Sequence, residues 1–129
     1  MNTGKKVLII TDTDETLKLT AQSIKDCLQD YSVEICKARE FKGTELLPAQ
    51  MFFLGCSNPN PASFSYLEEM LSHINLVSRK CGIFSSDKKS LKYLGSILKD
   101  CEAELAKPLL INGGTDRAVI ENWLKGITG

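Results

Sequence analysis

The chain has 129 residues, 43% hydrophobic and 25% charged, and its 16 basic and 16 acidic side chains cancel. Length and composition support one globular domain over residues 1–129 with a core of its own. Balanced charge leaves no global field to draw in nucleic acid or an anionic membrane, and no apolar run in the sequence is long enough to cross a bilayer. Lys5-Lys6 lead straight into an aliphatic run without a small-residue cleavage site, so no signal peptide is expected and a cytoplasmic location is. The five cysteines (Cys27, Cys36, Cys56, Cys81 and Cys101) are odd in number and scattered. None forms a C-x-x-C pair, and the single histidine, His73, is distant from them in sequence. Buried thiols in a reducing compartment are expected, not a disulfide framework or a zinc site.

Five strand-like runs alternate with helical patterns. The strands are predicted at Lys6–Thr11, Ser32–Cys36, Met51–Cys56, Lys80–Phe84 and around Ala103–Ile111. The first, third and fourth are apolar almost throughout, as strands covered on both faces should be. Leu17, Ala21, Ile24, Leu28 and Tyr31 fall on one helical stripe, as do Phe64, Leu67, Leu71 and Ile74, and Leu91, Leu94, Leu98 and Cys101. A last helix is expected to turn Val119, Ile120, Trp123, Leu124 and Ile127 inward, capped by Thr115 or Asp116. Lys37 to Gln50 leave room for no more than a short helix near Thr44–Leu47. Gly113-Gly114 reads as a turn, because no strand-GxGxxG-helix context surrounds it.

Strand and helix in alternation imply a parallel sheet with right-handed crossovers and helices on both faces. Five strands fit the order 2-1-3-4-5, in which ligands bind outside the carboxyl ends of the strands, at the switch between strands one and three. Three loops meet there: Thr11–Thr16, Cys56–Pro61 and Ser85–Lys89.

In the first loop, Thr11, Thr13 and Thr16 bring hydroxyls to a helix N-terminus, which suits a phosphate. Asp12, Asp14 and Glu15 oppose that dianion, suit a hard cation such as Mg²⁺ or Ca²⁺, and equally suit the helix dipole, with Thr13 or Asp14 as cap. The second loop offers Ser57, Asn58 and Pro59 for contact with a ligand, or serves as a rigid turn into the next helix with Ser63 as its cap. Cys56 is the cysteine best placed for redox chemistry, but no basic neighbour in sequence would lower its pKa. The third loop, Ser85, Ser86 and Asp87 followed by Lys88 and Lys89, combines capping groups with two cations that can meet an anion or solvent. Tyr93 and His73 read as surface helix positions.

The pattern Thr11-Asp12-Thr13-Asp14-Glu15-Thr16 after the first strand resembles the phosphate loop of the flavodoxin-like family, with Asp14 where that loop has glycine. Met51-Phe52-Phe53-Leu54-Gly55-Cys56-Ser57 is similar to the family's third strand and following loop, and His73 to Ser85 to its approach to the fourth strand. Glu104-Leu105-Ala106-Lys107-Pro108-Leu109-Leu110-Ile111 resembles its interrupted fifth strand. The resemblance covers nearly the whole chain. It implies a three-layer sandwich with helices on both faces of a five-stranded parallel sheet, FMN as cofactor and single-electron transfer to a redox partner. In that reading Thr11, Thr13 and Thr16 hold the phosphate, and the loops at Ser57–Asn60 and Ser85–Lys89 flank the flavin ring. Aromatic residues at those loop tips are missing from the sequence.

Ser85 or Ser86 and Lys107-Pro108 also resemble the switch hydroxyl and lysine of response-regulator receivers. The third strand ends Leu54-Gly55-Cys56, without the phosphoacceptor aspartate. Two expectations follow: a flavodoxin-like FMN carrier, or a non-catalytic flavodoxin-fold or receiver-like module that binds another small ligand or a protein. A third expectation, a hydrolase or metal-dependent enzyme using Asp12, Asp14 and Glu15, ranks last, because no nucleophile-base-acid set is visible and capping explains the acids as well.

Overall fold

A computed structural model describes residues 5–111 and 116–128. Its elements are β1 (Lys6–Thr11), α1 (Glu15–Cys27), β2 (Ser32–Lys37), β3 (Ala49–Gly55), α2 (Ser65–His73), β4 (Lys80–Ser85), α3 (Lys88–Ile97), β5 (Glu104–Leu105), β6 (Leu109–Leu110) and α4 (Arg117–Thr128). All strand pairings are parallel, in the order β2-β1-β3-β4-β5, with β6 also pairing with β4. The fifth strand position is thus filled by two short pieces. Between them Ala106 N–H still reaches the Cys81 carbonyl at 2.8 Å, and beyond them Ile111 N–H reaches Ser85 at 2.8 Å. Pro108, which has no N–H to donate, falls at the interruption.

Alternation along the strands feeds two separate cores. Leu8, Ile10, Phe52, Leu54, Cys81 and Ile83 face one side, against Phe64, Leu67 and Leu71 at α2 and Leu94 and Ile97 of α3. Val7, Ile9, Met51, Phe53 and Phe84 face the other, against Leu17, Ala21 and Ile24 of α1 and Ile120, Leu124 and Ile127 of α4. This is the doubly wound, three-layer arrangement expected from the sequence. Gly82 makes room within it: a Cβ there would lie 2.6 Å from Phe53 Cδ1 and 2.9 Å from Trp123 Cζ2. The Phe53 and Trp123 rings occupy that space in tilted contact, 5.6 Å between centroids.

Two expectations need correction. Val119 is 48% exposed, because the buried stripe of α4 centres on Ile120, Leu124 and Ile127, and Val119 falls to one side of it. Ser63 caps nothing: it lies inside a 3₁₀ turn, Ala62–Phe64, that runs directly into α2. That turn is closed by Phe64 N–H to the Pro61 carbonyl at 3.0 Å, so backbone geometry replaces the side-chain cap. Between β2 and β3 the short helix is a single 3₁₀ turn, Gly43–Glu45. The expected turn at Gly113-Gly114 and the alternative cap Thr115 lie outside the described residues. Asp116 does cap α4, accepting from Ala118 N–H at 3.2 Å.

Candidate functional site

β1, β3 and β4 end together, and their following loops meet at the carboxyl edge of the sheet. The period of β1 continues past its end: Leu8, Ile10 and then Asp12 point to the same face. Asp12 is therefore buried, with 7% exposure, and its carboxylate must find donors. Its Oδ2 accepts from Ser57 N–H at 2.7 Å and from the Ser57 hydroxyl at 2.8 Å. Its Oδ1 accepts from Asp14 N–H at 3.1 Å. One carboxylate thus ties the first loop to the second and closes the first loop on itself.

Asp14 caps α1, accepting from Leu17 N–H at 3.1 Å. Its backbone is extended (φ −66°, ψ 131°), so this position does not need the freedom of glycine. Thr11 is buried at the end of β1, whereas Thr13, Glu15 and Thr16 are exposed. Thr16 also accepts at its carbonyl from the Thr20 hydroxyl at 3.0 Å.

The second and third loops are joined by Ser85. Its buried hydroxyl donates to the Cys56 carbonyl at 2.6 Å and accepts from Asp87 N–H at 3.1 Å. Asp87 in turn caps α3, accepting from Lys89 N–H at 3.3 Å and the Ser90 hydroxyl at 3.0 Å. Ser86, Lys88 and Lys89 point to solvent, as do Asn58 and Pro59. The twelve residues expected at the site do lie on the three converging loops. They divide into an inner, hydrogen-bonded set (Thr11, Asp12, Asp14, Ser57, Ser85, Asp87) and an exposed rim (Thr13, Glu15, Thr16, Asn58, Pro59, Ser86).

Burial pushes the Cys56 thiol up to about 12, and the nearby Asp12 carboxylate adds to the rise, so Cys56 stays a protonated, unreactive thiol. Tyr93 donates its hydroxyl to Glu68 at 3.1 Å and packs 6.5 Å from the Phe64 ring. Burial, then that hydrogen bond, pushes its pKa upward. Among the described residues no three His, Cys, Asp or Glu side chains are grouped to hold a metal ion. No described helix is long and apolar enough to cross a membrane.

A phosphate dianion in the first loop would use the loop's free N–H groups. Those of Asp12, Asp14, Leu17 and Lys18 donate to oxygens of the chain itself: the Gly55 carbonyl, the Asp12 and Asp14 carboxylates, and the Asp14 carbonyl. The two carboxylates also repel a dianion. Residues 56–61 and 85–89 contain no aromatic side chain to cover a flavin ring. The Phe64 ring is fully buried in the core behind them. The two carboxylates and the lack of an aromatic cover weigh against FMN here, while the N–H groups of Thr13, Glu15 and Thr16 are not taken up by these bonds. The sequence singled out these loops and the capping role of Asp14, but not the Asp12–Ser57 link. The available signal was an acid standing in phase with Leu8 and Ile10.

No family model matches the sequence, and no curated protein does. The fold has clear structural neighbours. A short-chain flavodoxin associated with a non-canonical PDU bacterial microcompartment superposes with a TM-score of 0.84 at 11% identity, over 96% of this chain and 97% of that one. Oxidised flavodoxin 2 from Bacillus cereus gives 0.78 at 19% identity, over 94% and 96%. Fusobacterium nucleatum flavodoxin bound to flavin mononucleotide gives 0.72 at 11% identity, over 94% and 95%. Strand order, layering, the interrupted fifth strand and near-complete coverage of these neighbours together make this chain a protein of the flavodoxin-like fold.

Proposed function

We propose that this chain is a non-catalytic binding module on the flavodoxin-like fold, whose ancestral phosphate loop is closed by its own carboxylates. The observation that carries this reading is the buried Asp12 carboxylate, which takes up N–H donors of Asp14 and Ser57 that a phosphate would need. In this reading the exposed rim (Thr13, Glu15, Thr16, Asn58, Pro59 and Ser86) makes the contact, and its acidic first loop meets a basic protein partner or a small cationic ligand. Five free cysteines support a reducing compartment, the cytoplasm. Flavin fluorescence titration tests the reading. Wild type should show no saturable quenching at about 1 mM FMN, and Asp12→Gly/Asp14→Gly should gain it. Freshly purified wild type that is yellow, or that binds FMN at about micromolar concentration, would falsify the proposal.

The second reading, an FMN-dependent single-electron carrier, is favoured by the spacing of Thr11, Thr13 and Thr16 at the switch point and by the FMN-bound structural neighbour. It requires the first loop to open on binding, with Asp12 releasing Ser57. The same titration decides between the two.

A further inference from the structure

A cleft of about 620 Å³ lies at the opposite, amino end of the sheet, far from the three loops. Its volume is within the range usual for small-molecule sites, ~300–1,000 Å³. Three cations line it: Lys5 just before β1, and Arg79 and Lys80 at the start of β4. Among the described lining residues there is no aspartate or glutamate. Glu104, in register with Lys80 across the β4–β5 pair, stands outside the lining, as does Asp30 beside Tyr31. Arg79 and Lys80 thus set two cations side by side in a chain whose net charge is zero.

Arg79 is held in place. Its Nη1 donates to the Leu47 carbonyl at 2.7 Å and to the Ala49 carbonyl. These bonds fix the plane of the guanidinium while involving one of its three nitrogens, leaving Nε and Nη2 to form the fork that pairs with a carboxylate or phosphate. Lys80 is similarly steadied, its Nζ donating to the Ile127 carbonyl at 2.9 Å. The remaining wall is mixed: Leu47 and Pro48 offer exposed apolar surface, and Gln50, Ser78 and Thr128 are polar.

We propose that this cleft binds a small organic anion, its carboxylate or phosphate on Arg79 and Lys80 and its apolar body against Leu47 and Pro48. The site is independent of the carboxyl-edge loops, so neither reading of those loops bears on it.

The test is an amide NMR titration of the whole chain with phenyl phosphate, benzoate and inorganic phosphate in parallel. Saturable shifts at Gln50, Ser78, Arg79 and Lys80 are expected, with a dissociation constant of about 1 mM or tighter for phenyl phosphate or benzoate. The arm that binds more tightly identifies the head group. Inorganic phosphate, lacking the apolar body, should bind more weakly than phenyl phosphate. Arg79→Lys keeps a donor for one carbonyl but loses the fork, and should weaken binding about tenfold. Should Arg79→Lys fail to fold, Lys80→Gln, which keeps a donor for Ile127, should weaken it severalfold and flatten its salt dependence. Absence of saturable shifts at about 10 mM of any probe would overturn the proposal. So would shifts confined to Ser57 and Ser86, or unchanged affinity in the folded variants.

Discussion

Asp12 and Ser57, separated by 45 positions in sequence, are joined by two hydrogen bonds to one carboxylate oxygen, from the Ser57 backbone at 2.7 Å and from its hydroxyl at 2.8 Å. The link does the mechanical work that a bound anion would do in such a site: it draws the loops after β1 and β3 together and satisfies their donors. It is built into the chain, so loop closure needs no ligand.

Removing that carboxylate should destabilise the fold without a ligand being involved. Asp12→Ala leaves the Ser57 and Asp14 donors unpaired in a part-buried setting, and should cost about 2–4 kcal/mol. Ser57→Ala removes one of the two bonds from Ser57 and should cost about 1 kcal/mol. Urea unfolding of both variants measures the difference. Equal losses would mean that Asp12 does not act as the shared acceptor.

Asp14 has a separate, local role as the cap of α1. Asp14→Ala should cost ~1 kcal/mol, and Asp14→Asn much less, since an amide oxygen still caps. Thermal unfolding followed by circular dichroism distinguishes this from a ligand-binding role, which would leave apo stability unchanged.

The thiols should make the fold sensitive to alkali. Burial pushes both Cys36 and Cys56 from 9.0 up to about 12. Between those values the unfolded chain loses thiol protons that the folded chain keeps, so the folded state binds more protons and stability falls as pH rises. The contribution is complete below about pH 9 and is lost progressively toward pH 12. Denaturant midpoints measured from pH 8 to pH 11 should decline, and Cys56→Ser should decline less steeply. In native protein at neutral pH, Cys56 and the fully buried Cys81 should resist a thiol reagent until the chain unfolds.

Gly82→Ala tests the packing beneath Trp123. The added methyl meets Phe53 at 2.6 Å and Trp123 at 2.9 Å, and the resulting overpacking should cost about 1–3 kcal/mol. Trp123 is the single tryptophan of the sequence, so a shifted emission maximum should accompany the loss. Unchanged stability and emission would show that the two rings readily make room.

Much of the fold was legible in the sequence because burial on both faces leaves a strong pattern. Phe52-Phe53-Leu54 has no place except in a strand covered on both sides, and Leu17, Ala21 and Ile24 recur with the turn of a helix packed on one side. Ends were less legible. Ser63 has the chemistry of a cap, yet Pro61 and a 3₁₀ turn start α2 differently. Val119 is apolar, but it sits beside the buried stripe and faces solvent.

At the carboxyl-edge site, the sequence by itself determined which residues are present: three threonines and three acids from the end of β1 onward, serines after β3 and at the end of β4, and no aromatic in the loops. Periodicity also determined that those loops converge, since strand order follows from alternating strands and helices. Only the tertiary structure decided what the acids do. Asp12 and Asp14 look alike in sequence, one position apart from a shared threonine. Yet Asp14 caps its own helix, and Asp12 crosses to a different loop to take the donors of Ser57. The reason is physical: a cap is satisfied by N–H groups a few residues away, which local sequence reveals, whereas a buried carboxylate takes whichever donors the packed sheet brings within about 3 Å.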